Sequence, residues 1–151
     1  MLVYADTSVF GGVFDPEFEQ ASSAFFERVR NSVLEVAVSA LVLDELARAP
    51  EHVNRFFAGL EPFIVRVDID EAAYALRRDY LEANVVSFKW AADALHVAVA
   101  TVSGCQAIVS WNFQHIVNSR RIPLYNEVNR MAGYSPISIH TPPEVVPDEE
   151  D

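Results

Sequence analysis

Leu2-Val3-Tyr4-Ala5-Asp6 is the stretch on which the fold turns: a short apolar run stopped by an acid. Such a run reads as a strand of a parallel sheet, buried on both faces. Working outward, Phe18, Ala21, Phe25 and Val29 recur at helical spacing and predict an amphipathic helix over 18–29. Leu34–Val38 reads as a second strand. Ser39 is placed to cap a helix over Ala40–Arg48, which Pro50 limits, and another helix is expected over His52–Leu60. Phe63-Ile64-Val65 is a short extended segment, and Asp70 opens a helix to about Asn84. Ser87 is a fitting N-cap for an alanine-rich helix over Phe88–Ser103, stopped by Gly104. That helix is apolar on almost every face and should lie deep against the sheet. Ala107-Ile108-Val109 is a third strand, Glu127–Ala132 a short helix ended by Gly133, and Ile137-Ser138-Ile139 a final edge strand. Strands alternating with helices predict an α/β sandwich around a mainly parallel sheet, with order fading from Pro142 onward.

At 151 residues, 51% hydrophobic and 22% charged, the chain fits one globular domain, taken as 1–146 with an acidic tail at 147–151. The most apolar segment, Trp90 to Val102, is too short to span a bilayer and holds Asp93 and His96, so no membrane partner is expected. No basic stretch opens a signal peptide. A single cysteine, Cys105, excludes an internal disulfide and suits a cytoplasmic protein. The net charge is −11, but Glu144, Asp148, Glu149, Glu150 and Asp151 crowd the Pro-rich tail; taking those five charges away leaves −6. An acidic body does not coat nucleic acid by counterion release, although an enzyme that touches a few phosphates remains open.

The chemistry gathers at element ends. Parallel sheets place ligand sites beyond the carboxyl ends of their strands, where Asp6 and Asn112 stand. Glu45, with Asp44 beside it as an equal candidate, lies in the helix after the second strand. Asp93 stands inside Trp90-Ala91-Ala92-Asp93-Ala94-Leu95, where an unpaired carboxylate would be costly. Lys89, four residues earlier, is the basic partner within reach in sequence. Singly, each acid has a plain explanation: Asp6 caps a helix beginning near Ser8, Glu45 faces solvent. Together they form a set of acids at strand ends and helix starts. Two carboxylates about 5 Å apart repel by roughly 3 kcal/mol at an effective dielectric near 20. Three in one pocket therefore bind a hard dication or take up a proton. Oxygen-only donors favour Mg²⁺ or Mn²⁺. His52, His96, His115 and His140 are scattered without ligand spacing, which argues against zinc. His96 reads as a core residue or a support behind an acid. A haloacid-dehalogenase-type phosphatase would need a second Asp where Ser8 stands.

Val3-Tyr4-Ala5-Asp6-Thr7-Ser8, Val42-Leu43-Asp44-Glu45-Leu46, Ala92-Asp93-Ala94-Leu95-His96-Val97-Ala98 and Ile108-Val109-Ser110-Trp111-Asn112-Phe113, taken in order, resemble the successive motifs of PIN domains of the VapC type. The resemblance spans nearly the whole chain, to about residue 146. It implies a PIN-like α/β/α sandwich and a small, dimeric, Mg²⁺- or Mn²⁺-dependent endoribonuclease, the toxin of a type II toxin–antitoxin pair. RNA would be the substrate, with a cognate antitoxin and a second copy of the chain as protein partners. It further implies that Asp6, Glu45 and Asp93 are the catalytic metal carboxylates, with Glu45 preferred over Asp44. Asn112 takes the slot where the family often carries a fourth acid; its carbonyl offers a neutral ligand, which leaves the count of metals at one or two. Thr7 and Ser8 would orient Asp6 or touch a phosphate. The competing expectations are a PIN-fold module that binds RNA or protein without cleaving, and an RNA-processing nuclease that is no toxin. Val53, Phe56 and Phe57 are candidates for an outward dimer surface or for ordinary core.

Overall fold

Five short parallel strands carry the molecule, in a computed structural model that describes residues 1–145. In chain order, β1 (Leu2–Ala5), α1 (Thr7–Gly12), α2 (Glu19–Arg30), β2 (Glu35–Val38), α3 (Ala40–Ala47), α4 (Glu51–Leu60) and β3 (Ile64–Arg66) form the first half. They are followed by α5 (Glu71–Glu82), α6 (Ala91–Val102), β4 (Ala107–Val109), α7 (Arg121–Met131) and β5 (Ser138–His140). The sheet order is β3-β2-β1-β4-β5, and every pairing is parallel. The expected PIN-like α/β sandwich is therefore present, and its sheet is parallel throughout.

The chain winds from β1 outward through β2 to β3, then returns to lay β4 on the other side of β1. The carboxyl ends of β1 and β4 thus flank the point where the order reverses, the crevice in which open α/β sheets bind ligands. Tyr4 pairs with Ile108 and Ala5 with Val109, so the residues just past the two strands lie side by side.

α6 is buried from Ala94 through Thr101, as its composition requires, and packs on the sheet and on α5. Its start differs from expectation. A 3-10 turn occupies Phe88–Trp90 and α6 begins at Ala91, so Asp93 sits in the first helical turn. Ser87 makes no side-chain cap there, and neither does Ser39 before α3; the Ser39 hydroxyl is bonded to Tyr4 instead. Asp70 does cap α5, accepting from the Ala73 amide at 3.0 Å. Gly104, at φ +76, ends α6 in the left-handed conformation that a side chain would strain.

α1 is the short helix that a capping Asp6 implies near Ser8, and it starts at Thr7, directly behind the acid. Two further boundaries moved. α7 starts at Arg121, six residues before the expected Glu127, because Pro123 sits in the first turn, where its missing N–H costs nothing. Pro142–Val145 forms a 3-10 turn rather than losing order, and the tail beyond it lies outside the described residues. Val53 and Phe57 are core, and Phe56 is half-buried against Phe14 and Phe26. Among the described residues no helix is long and apolar enough to cross a membrane.

Candidate active site

Asp6 is held where β1 gives way to α1. Its backbone is extended (φ −77°, ψ 175°), and its side chain caps the helix by accepting from the Ser8 amide at 3.1 Å. The same oxygen accepts from the Ser8 hydroxyl at 2.6 Å, and the other accepts from the Ser110 hydroxyl at 2.6 Å. Two backbone amides of the loop after β4 complete the set: Trp111 donates to Ser8 Oγ and Asn112 to Ser110 Oγ, both at 2.9 Å. Capping and site geometry are thus the same arrangement, and two serines stitch the ends of the central strands together. Asp6 is only 4% exposed, and burial raises its carboxyl pKa against the charge of His96 and the serine hydrogen bonds.

Glu45 reaches the site from α3, whereas Asp44 points to solvent. Its Oε1 accepts from Thr7 Oγ1 at 2.9 Å and lies 2.6 Å from His96 Nε2. Thr7 therefore orients Glu45, and of these two neighbours only Ser8 bonds Asp6. His96, two per cent exposed within α6, meets the Tyr4 hydroxyl through Nδ1 at 2.8 Å, and Tyr4 meets Ser39 at 2.8 Å. Nε2 donates its N–H to the Glu45 carboxylate, and the Tyr4 hydroxyl bridges His96 Nδ1 and Ser39 Oγ. Burial works against the Glu45 charge; the His96 hydrogen bond and charge, then Thr7 and Arg48, outweigh it and hold the carboxyl below its usual range.

Asp93 faces the loop after β4, with its side chain 21% exposed and Oδ2 3.1 Å from His115 Nδ1. Its first-turn position sets it in the positive end of the α6 dipole, which eases a charge the sequence placed in an all-apolar helix. Lys89 is not its partner; its ammonium stands 5.1 Å from the Trp90 ring. His115 is buried, stacked on Trp90 at 4.2 Å, and its amide donates to Asn112 Oδ1 at 3.0 Å. Asn112 Oδ1 also accepts from the Gln114 amide at 3.2 Å, so this carbonyl caps the turn that carries His115.

Asp6, Glu45, Asp93 and Asn112 accordingly all lie at the carboxyl edge of the sheet around the β1–β4 crevice. The contributions that sequence reading missed are Ser110, the pairing of His115 with Asp93, and the extension through Tyr4 to Ser39 behind His96, which itself stands as expected, buried and in support of an acid. Ser110 stood unremarked in a polar triplet, and His115 had no acid near it in sequence. The carboxylates are hard oxygen donors of the kind a divalent cation takes. The donor chemistry fits such an ion, while the placement is open: among the described residues no three His, Cys, Asp or Glu side chains converge on one point. Glu45 and Asp93 each turn one oxygen to a histidine.

Comparison with solved structures decides the architecture. A chain of VapBC2 from Rickettsia felis, in a crystal with a DNA fragment from the promoter, matches at a TM-score of 0.60 and 13% identity, over 93% of this chain and 98% of that one. A chain of FitAcB from Neisseria gonorrhoeae matches at 0.55 and 17%, over 93% and 97%. The fold is theirs. No protein-family profile and no curated protein matches the sequence, and at these identities the likeness speaks for the fold alone.

Proposed function

We propose that this chain is an endoribonuclease dependent on Mg²⁺ or Mn²⁺, acting in the cytoplasm as the toxin of a type II toxin–antitoxin pair. The observation that supports the reading is that Asp6, Glu45 and Asp93 are carried by elements around the switch point of a parallel sheet. The fold shared with VapBC2 and FitAcB chains supports the toxin role and a cognate antitoxin, and the homodimer rests on the motif resemblance alone.

Asp6, Glu45 and Asp93 would hold the cation, with Asn112 as a neutral neighbour. A bound divalent ion supplies charge stabilisation to a phosphodiester and a more acidic water. The protein's own work is orientation. Ser8 and Ser110 fix both oxygens of Asp6, and Thr7 and His96 fix one oxygen of Glu45. Asp93 keeps its solvent-facing edge open to substrate.

The test is cleavage of mixed cellular RNA with EDTA, then with Mg²⁺ or Mn²⁺ restored. Activity that returns with the ion and is lost in Asp93→Asn supports the reading. The loss should exceed the about 10–100-fold that removing a merely orienting partner costs. Cleavage unaffected by EDTA would end it. A second reading, a PIN-fold binding module, is favoured by the paired state of Glu45 and Asp93; absence of cleavage under every ion, with the Asp93→Asn protein folded, would select it.

A further inference from the structure

Beside the carboxylates the surface carries aromatic rings where an acidic protein has little reason to expose them. Phe88 is 82% exposed, Phe113 49% and Trp90 38%. They belong to two segments, 88–90 ahead of α6 and the loop after β4, which are joined in two ways. Trp90 stacks on His115, and Arg121 donates from Nε to the Gln114 carbonyl at 2.8 Å and from Nη1 to the Val85 carbonyl at 3.0 Å. The two segments that carry the rings are thus tied together as a ledge, and His115 links that ledge to Asp93. Phe113 is backed by Trp111, itself stacked on Phe18 at 4.2 Å and hydrogen-bonded to Ser22. Both tryptophans of the chain and its sole lysine, Lys89, lie in this region.

We infer that this ledge stacks the unpaired bases of a single-stranded ribonucleotide flanking the scissile phosphate, with Lys89, Arg120 and Arg121 meeting its phosphates. The inference rests on the nuclease reading above and supplies what that reading lacks. A chain of net charge −11 has little electrostatic hold on a polyanion, so its grip has to come from elsewhere. Base–aromatic stacking is that contribution: it is indifferent to sequence and requires a free base face. Duplex bases have none to offer.

The experiment separates binding from cleavage. Tryptophan fluorescence of the full chain in EDTA is followed while an oligoribonucleotide of about eight nucleotides is added, a length within the usual site sizes. The expected result is quenching by the single strand, and much weaker binding of an abasic oligomer and of the duplex. Phe88→Ala and Phe113→Ala should each weaken the single strand by about tenfold. Phe88 has almost no packing to lose, so its variant folds even if Phe113→Ala does not. In Mg²⁺ the same changes should raise KM while leaving kcat near wild type. Equal binding of normal and abasic oligomers, or unchanged affinity in both variants, would overturn the ledge while leaving the nuclease intact. Binding retained without cleavage in any ion would support the ledge and remove the nuclease. Tighter binding of an arginine-rich peptide than of the oligonucleotide, lost in the same variants, would assign the surface to a protein partner and overturn the proposal.

Discussion

Asp6 is the buried acid among the described residues, and desolvation raises its carboxyl pKa in spite of His96, Ser110 and Ser8. A folded-state pKa above the unfolded one means that the native protein binds the extra proton. Stability from this group is full below the unfolded value of about 3.9 and falls as pH rises through the folded value. Asp6→Asn keeps the uncharged form at every pH. In EDTA at pH 7 it should melt at or above wild type, with the gap closing toward pH 4; a variant melting well below wild type at pH 7 would show that the serine bonds outweigh the burial cost. Asn112 offers a contrasting case. Its carbonyl caps the turn through Gln114 and His115, so Asn112→Ala should cost about 0.5–2 kcal/mol in denaturant melts, whereas Asn112→Asp should melt close to wild type. If Asn112 also meets the ion, Asn112→Asp will need less Mg²⁺ for half-maximal cleavage; superimposed titrations would confine it to capping.

At the scale of elements, the site is built where α1, α2 and the loop after β4 crowd together. Gly12 closes α1 against this loop, and a Cβ there would stand 2.6 Å from Ser22 Oγ and 2.7 Å from Trp111 Nε1. Trp111 has no slack, being stacked on Phe18 and bonded to Ser22, while its amide holds Ser8 behind Asp6. Gly12→Ala should therefore cost about 1–3 kcal/mol through overpacking. It should also alter Trp111 fluorescence and lower cleavage, while Gly11→Ala, which meets open space, should do none of this. Equal behaviour of the two variants would detach Trp111 from the site. The strands and most helices were legible in the sequence because apolar runs and periodicity are local signals. The 3-10 turn before α6 was not, since Ser87 is a fitting sequence signal for a cap yet makes none, and Trp90, the last residue of that turn, is stacked on His115, a contact distant in sequence. The place of Asp6 was legible for the same local reason, at a strand end. Which side chains hold the acids was not: Ser110 lies 104 residues from Asp6, and His96 lies 51 from Glu45.

At the scale of the whole molecule, charge decides how nucleic acid can be held. Eleven basic residues face twenty-two acidic ones; Arg48 acts on Glu45, and the cations proposed to meet substrate phosphates are Lys89, Arg120 and Arg121. Each phosphate neutralised on a single strand contributes about −0.7 to the slope of log K against log salt, so three contacts give a slope of about −2. A protein that bound RNA by a broad basic face would be far steeper, and one that bound by stacking alone would be flat. Affinity of the full chain for a short single-stranded oligoribonucleotide, measured in EDTA across a salt series, should therefore fall gently. Lys89→Ala should flatten the slope by roughly 0.7, weaken binding to every sequence alike and leave the quench by bound bases in place. A slope steeper than about −4 would mean that cations elsewhere on the surface carry the substrate, and that the acidic body is compensated by a basic track distant from the crevice.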